Sequence, residues 1–226
     1  MSDRAPHRLT LAATIPCKTT TATDFLVSKV TAVVLAAGKS RRMGKGKAKQ
    51  LLPWGDTTVL GQTLQQVRQS QVEDVLVVTG HEADRVAAVA RAHGARVVHN
   101  PDYARGEMLS SLQKAVSILP PESDAVLVVL ADQPMVTSQT YDTIVAAYDR
   151  GGATLVAPVF EGQRGNPVLI GRALFQELLA LPYGEAPRAL LRRHPEQLRL
   201  VEVESDAVLR DLDRPEQYER QRPGDD

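Results

Sequence analysis

Seven short runs of apolar and β-branched residues recur from residue 32 onward, and most are separated by stretches of helical period. The strand-like runs are Ala32–Ala37, Asp74–Thr79, Arg96–His99, Ala125–Ala131, Thr154–Val159, Pro167–Ile170 and Leu198–Val203. The helix-like runs are Val59–Gln69, Glu82–His93, Ser111–Leu119, Ser138–Asp149, Ala173–Leu181 and Ala186–Arg193. The early strands, such as AVVLAA at 32–37, are apolar at consecutive positions instead of alternating. That pattern requires cover on both faces of a sheet. Strand–helix repetition therefore predicts an α/β fold, with right-handed crossovers and a three-layer α/β/α sandwich about a mostly parallel sheet. Ligands of such sheets bind beyond the carboxyl ends of the strands, so chemistry is sought just after each run.

Composition narrows the partners. The 27 basic and 27 acidic residues cancel, which argues against a general nucleic-acid or membrane-surface binder. A single cysteine, Cys17, excludes an intrachain disulfide framework and fits a reducing, cytoplasmic compartment. No apolar run approaches the roughly 20 residues that span a bilayer. Residues 1–29 are threonine-rich and without period. They read as an unstructured extension, leaving one domain over 30–220 and a short tail at 221–226.

The first strand ends in GKSRRMGKGKAK, with six basic residues between Lys39 and Lys49. A P-loop would need a second glycine five residues before Gly38, where Val33 stands, so that reading fails. What remains is a small-residue turn, Ala36-Ala37-Gly38, where backbone amides can approach a ligand, followed by cations suited to a triphosphate. The competing reading is a solvated lysine-rich loop. The second strand runs into Gly80-His81. After the third, Ser110 and Ser111 fall where a helix opens, so capping is their default role, with a base or ribose as the alternative. The fourth strand ends in Leu130-Ala131-Asp132. A carboxylate there is costly to desolvate unless paired or metal-bound. Magnesium beside phosphates takes one or two such carboxylates, and the competing role is a helix cap. Near the C-terminus, Asp211-Leu212-Asp213-Arg214-Pro215 supplies another carboxylate pair before a proline that can start a helix.

LAAGKSRRMG, KQLLPWG, VVTGHEADRV, NPDYARGEMLSSLQ, LADQPMV, RGNPVLI and DLDRPEQY follow one another over residues 31–219. In order and spacing they resemble the nucleotidyltransferases related to molybdenum cofactor cytidylyltransferase. The resemblance implies a nucleotide-diphospho-sugar transferase (GT-A) type fold and Mg2+-dependent transfer of a nucleoside monophosphate. CTP would be the favoured donor, with GTP open, and the acceptor a phosphorylated small molecule, foremost molybdopterin. A molybdenum hydroxylase or its chaperone would be the protein partner. Carried over by position, Leu35, Ala36, Ala37, Gly38 and Gly80 would line the nucleotide, and Arg42 and Lys49 would bind its phosphates. Gly106, Ser110 and Ser111 would lie near base or ribose, and Asp132 and Asp213 would hold magnesium. Arg42, Lys49 and Asp132 would carry catalysis. Departures are two extra residues between Gly44 and Lys49, Asn166 in place of a frequent histidine, and Gly184-Glu185-Ala186-Pro187-Arg188 where a Gly-Asp-x-Gly-x-Arg segment is common. The last two leave open a sugar phosphate or another phosphorylated acceptor. A nucleotide-sensing protein without turnover is the remaining alternative.

Overall fold

The computed structural model describes residues 28–44, 48–105 and 107–224. The expectations for residues 1–27, for Gly106 and for the Lys45–Lys47 insertion therefore lie outside the described residues. Among the described residues there are ten strands: β1 Val30–Ala36, β2 Pro53–Trp54, β3 Thr57–Thr58, β4 Asp74–Thr79, β5 Arg96–His99, β6 Ala125–Leu130, β7 Leu155–Phe160, β8 Gln163–Arg164, β9 Val168–Gly171 and β10 Leu198–Glu202. The α-helices are α1 Val59–Arg68, α2 Ala83–Ala92, α3 Glu107–Val116, α4 Ser138–Asp149, α5 Phe175–Ala180, α6 Arg188–Arg193 and α7 Pro215–Gln221. Just before β1, the Ser28 and Lys29 amides donate to Asp149 Oδ1 at 3.3 Å and Asp124 Oδ2 at 2.8 Å.

The main sheet has the order β10-β7-β9-β6-β1-β4-β5, with β8 added against β7. β1 pairs in parallel with both β4 and β6, as does β4 with β5 and β10 with β7. β9 runs antiparallel between β6 and β7, because the chain folds back through β8 after a turn at Glu161 and Gly162, both at positive φ. The mixed, mostly parallel sheet is thus as the sequence predicts.

Consecutive apolar residues divide between two cores. Ala32, Val34 and Ala36 of β1 and Leu127 and Val129 of β6 pack with Leu60 and Leu64 of α1, Val86 of α2 and Ile144 of α4. Val33 of β1, and Val126 and Val128 of β6, face Leu112 of α3, Leu178 of α5 and Leu190 of α6. This is the pleat alternation with both faces covered, giving three layers. A third, smaller core joins Met43, Trp54, Val59, Leu212 and Tyr218. It locks the segment after β1 to the loop before α7, and Tyr218 Oη donates to the Pro53 carbonyl at 2.7 Å to close it. Among the described residues no helix is long and apolar enough to cross a membrane.

Candidate active site

A cleft of about 570 Å3 opens at the carboxyl ends of β1 and β6. Its floor is Leu35, Ala36, Ala37 and Gly38, and one wall carries Lys39, Ser40, Arg41, Arg42, Lys49 and Gln50. The cleft is also lined by Tyr103, Ala104, Arg105, Met108 and Ser111, and by Leu130, Ala131, Asp132, Asp211 and Asp213. Strand-end placement thus brings together residues far apart in sequence, such as Arg42 and Asp213, 171 positions apart.

The wall after β1 is held by a polar clasp. Ser40 sits at φ 51°, in the left-handed region where short polar side chains can compensate by local hydrogen bonds. Its Oγ accepts from the Lys49 amide at 3.0 Å and donates to Gln50 Oε1 at 3.3 Å. Gln50, only 3% exposed, donates in turn to the Ala36 carbonyl at 3.1 Å. The turn carrying Lys49 is therefore tied to the floor on which a ligand would lie. Gln50→Leu should remove both side-chain bonds and leave the Ala36 carbonyl without this donor. The expected cost is about 1–3 kcal/mol in thermal unfolding. A matching rise in KM for the nucleotide, greater than the fall in kcat, would mark a positioning role; unchanged stability and kinetics would refute the clasp.

Lys49 Nζ bonds Asp132 and, at 2.6 Å, Asp213 Oδ1, while Arg42 Nη1 meets Asp213 Oδ2 at 2.6 Å. Burial alone would lower the Lys49 ammonium pKa, but the charge and hydrogen bond of Asp132, and then those of Asp213, outweigh it and raise it. Burial likewise works to raise Asp213, yet Lys49 and then Arg42 hold its carboxyl below the usual range. Asp211 goes the other way: burial first, then the charges of Asp213 and Asp132, push it up. One oxygen from each of Asp132, Asp211 and Asp213 lies within 4.8 Å of the others, so the three could hold a metal ion. Crowded carboxylates with one pKa raised by its neighbours are the chemistry a divalent cation relieves, and oxygen-only donors suit a hard cation.

Neither aspartate named from the sequence serves as a helix cap. The amides of Asp213 and Arg214 both donate to Gln217 Oε1, at 2.9 and 2.8 Å, leaving the Asp213 carboxylate to Lys49 and Arg42. Asp132 lies six positions before α4, and its carbonyl accepts from the Leu212 amide at 3.1 Å, fixing the C-terminal loop to the β6 end.

Other expectations need correction. Ser110 and Ser111 do not open a helix: α3 begins at Glu107, and both hydroxyls accept from Asn100 Nδ2, at 2.9 and 3.0 Å. Ser111 reaches the cleft, whereas Ser110 lines a separate shallow depression with Asn100 and Lys114. Gly80 does not line the cleft. A Cβ there would stand 2.5 Å from Tyr103 Cβ and 2.8 Å from Ala37 Cβ, so its smallness lets Tyr103 pack on the floor. Lys39 in turn lies 5.6 Å from the Tyr103 ring centre. Asp211, Gln50, Asn100 and Tyr103 were not assigned roles from the sequence. Of these, Asp211 carried a signal, its place beside Asp213.

A family model, the MobA-like NTP transferase domain, matches residues 32–198. The molybdenum cofactor cytidylyltransferase of Escherichia coli (strain K12) is 25% identical over 193 residues, 85% of this chain and 95% of that protein. The nicotine blue oxidoreductase of Paenarthrobacter nicotinovorans is 28% identical over 198 residues, 84% and 95% of the respective chains. Among solved structures, the complex of Rv0371C with manganese from Mycobacterium tuberculosis H37Rv is 30% identical. It superposes with a TM-score of 0.72 over 85% of this chain and 97% of that one. The family match runs from within β1 to the first residue of β10, through both strand ends that build the cleft, so the chain belongs to the MobA-like NTP transferase family and is an enzyme of the nucleotidyltransferase type.

Proposed function

We propose that this enzyme transfers CMP from CTP to a phosphorylated acceptor, foremost molybdopterin or its molybdenum form, and releases pyrophosphate in the cytoplasm. The observation that carries the reading is the meeting of Lys49 and Arg42 with Asp132 and Asp213 beside the Ala36–Gly38 floor. An acceptor phosphate brings an oxygen that is already anionic at neutral pH, so no general base is needed. That oxygen attacks the α-phosphorus, the bond from the α-phosphorus to the bridging oxygen breaks, and pyrophosphate leaves. The protein's task is alignment and neutralisation of charge. Asp132, Asp211 and Asp213 would hold Mg2+, which supplies charge neutralisation to the triphosphate and the departing pyrophosphate. Lys49 and Arg42 would face the phosphates, the floor amides would approach them, and Ser111 and Tyr103 would flank the nucleoside.

Gly38 offers a separate test. A Cβ on it would meet nothing within 4 Å, and its φ lies outside the positive region. The protein's own packing therefore does not require glycine here, while a ligand on the floor would. Gly38→Ala should leave the melting temperature unchanged, within about 0.5 kcal/mol, and raise KM for the nucleotide roughly tenfold, the cost of about 1.4 kcal/mol of lost contact. An unaltered KM would move the nucleotide off this floor.

A second reading replaces molybdopterin with a sugar phosphate or other phosphorylated molecule, with GTP as a possible donor. It is favoured by Asn166 and by Gly184–Arg188, the places where the chain departs from the resembling family. The 28% identity to a protein named as an oxidoreductase is no weaker than that to the cytidylyltransferase, so identity alone does not choose between chemistries; the carboxylates facing Lys49 favour phosphoryl chemistry. Pyrophosphate release measured with each NTP, with and without molybdopterin, separates the readings. Release with CTP only when molybdopterin is present supports the first, release with a sugar phosphate the second, and none with any pair would support a nucleotide sensor. The partner of the first reading is a molybdenum hydroxylase or its chaperone.

A further inference from the structure

Lys49 is engaged in a way that a lysine waiting for phosphate is not. Its ammonium is mostly buried, at 17% side-chain exposure, and is shared between Asp132 and Asp213. Among the described residues, those two carboxylates, with Asp211, are the ones whose oxygens converge tightly enough to hold a cation. Arg42 takes the other oxygen of Asp213. Formally, three carboxylates against two side-chain cations leave one negative charge in the cluster. A divalent ion added to that arrangement would make it net positive, and it would compete with Lys49 for the same two carboxylates. Like charges so close, in a half-buried cleft, repel far more than in water.

The backbone, in contrast, need not move. The Lys49 amide is pinned to Ser40 Oγ, while four methylenes and rotatable bonds let the ammonium swing. The floor that a triphosphate would occupy adjoins this lysine in the same cleft.

We propose that Lys49 is the resident counter-cation of the carboxylate cluster, and that a divalent ion binds by displacing it. Metal and triphosphate then bind cooperatively, because the polyanion takes up the ammonium that the metal expels. The destination of the lysine rests on the nucleotidyl-transfer reading; its displacement by metal does not. The device would keep the carboxylates paired, and the site nearly neutral, until metal and triphosphate arrive.

The test uses the full chain and Mn2+ as a spectroscopic probe, with free and bound ion measured by electron paramagnetic resonance. Without nucleotide, Lys49→Met should bind Mn2+ roughly tenfold more tightly than the wild type, inside the usual range for coupled ligands. Lys49→Arg, which keeps the charge, should stay near the wild type. CTP should tighten Mn2+ binding to the wild type more than to Lys49→Met. Equal or weaker binding by Lys49→Met would overturn the proposal. A second measurement needs no variant: the rate of Lys49 reductive methylation in the wild type, followed by mass spectrometry, should rise when Mn2+ alone saturates the protein. A rate that stays level or falls would overturn it equally. Pyrophosphate assays separate the two ideas. Mn2+ results as expected with no pyrophosphate from any NTP would leave the exchange standing and remove nucleotidyl transfer. Pyrophosphate release without tighter Mn2+ binding by Lys49→Met would do the reverse.

Discussion

Asp132→Asn should lower pyrophosphate release by two to three orders of magnitude, on the order of 3–4 kcal/mol of transition-state stabilisation, while the fold survives. The asparagine keeps the shape and one acceptor for Lys49, but removes the charge at the end of β6. Lys49 would still have Asp213 at 2.6 Å, so no unpaired buried cation is created. The link that holds the C-terminal loop, from the Leu212 amide to the Asp132 carbonyl, is a backbone bond and is indifferent to the side chain. Thermal unfolding should therefore shift by no more than a few degrees. The decisive comparison is kcat with Mg2+ in excess against the melting temperature in the same buffer. Retained turnover would remove Asp132 from the reacting centre. Lost turnover together with a lost fold would make it structural, and the cleft would need another anchor.

The strand ends were the most legible part of the site. A run such as AVLVVLA must stop where it meets a carboxylate, and Asp132 marks that point whatever surrounds it. The Ala36–Gly38 turn is legible for the same reason, since small residues at a strand end leave the backbone approachable. The small β2–β3 hairpin could not be read, because two-residue strands carry no period. The packing role of Gly80 could not be read, because its smallness serves Tyr103, 23 positions later, and such a distance leaves no local trace. The serines after β5 were misread because Glu-Met-Leu is as good a helix start as Ser-Ser. The helix begins at Glu107, and the buried Asn100 bonds both hydroxyls from outside it. Asp211 stands two positions before Asp213, and that both carboxylates face the cleft depends on how the third core orients the loop. Leu212, buried between them with Met43 and Trp54, sets that orientation.

The same coupling makes Gly165 a sensitive position remote from the cleft. It sits between β8 and β9, and a Cβ on it would lie 2.3 Å from the Val208 carbonyl oxygen and 2.8 Å from Val208 Cβ. The obstruction is backbone, which cannot rotate away as a side chain would. That carbonyl also accepts from the Asn166 amide at 2.9 Å and from Gln133 Nε2 at 3.4 Å, so it is pinned from two sides. Gly165→Ala must therefore break this junction or shift the 206–209 turn, which ends two residues before Asp211. Overpacking of this kind costs roughly 1–3 kcal/mol, or about 3–10 °C in melting temperature for a chain of this size. Mn2+ affinity should fall as well, because Asp211 and Asp213 move with the turn. The two glycines should thus behave oppositely: Gly38→Ala loses nucleotide without losing stability, and Gly165→Ala loses both stability and metal. Unfolding followed by fluorescence of Trp54, with Mn2+ titrated well below the transition, distinguishes them. A Gly165→Ala protein as stable as the wild type, with unchanged Mn2+ affinity, would show that the turn yields without carrying the carboxylates along.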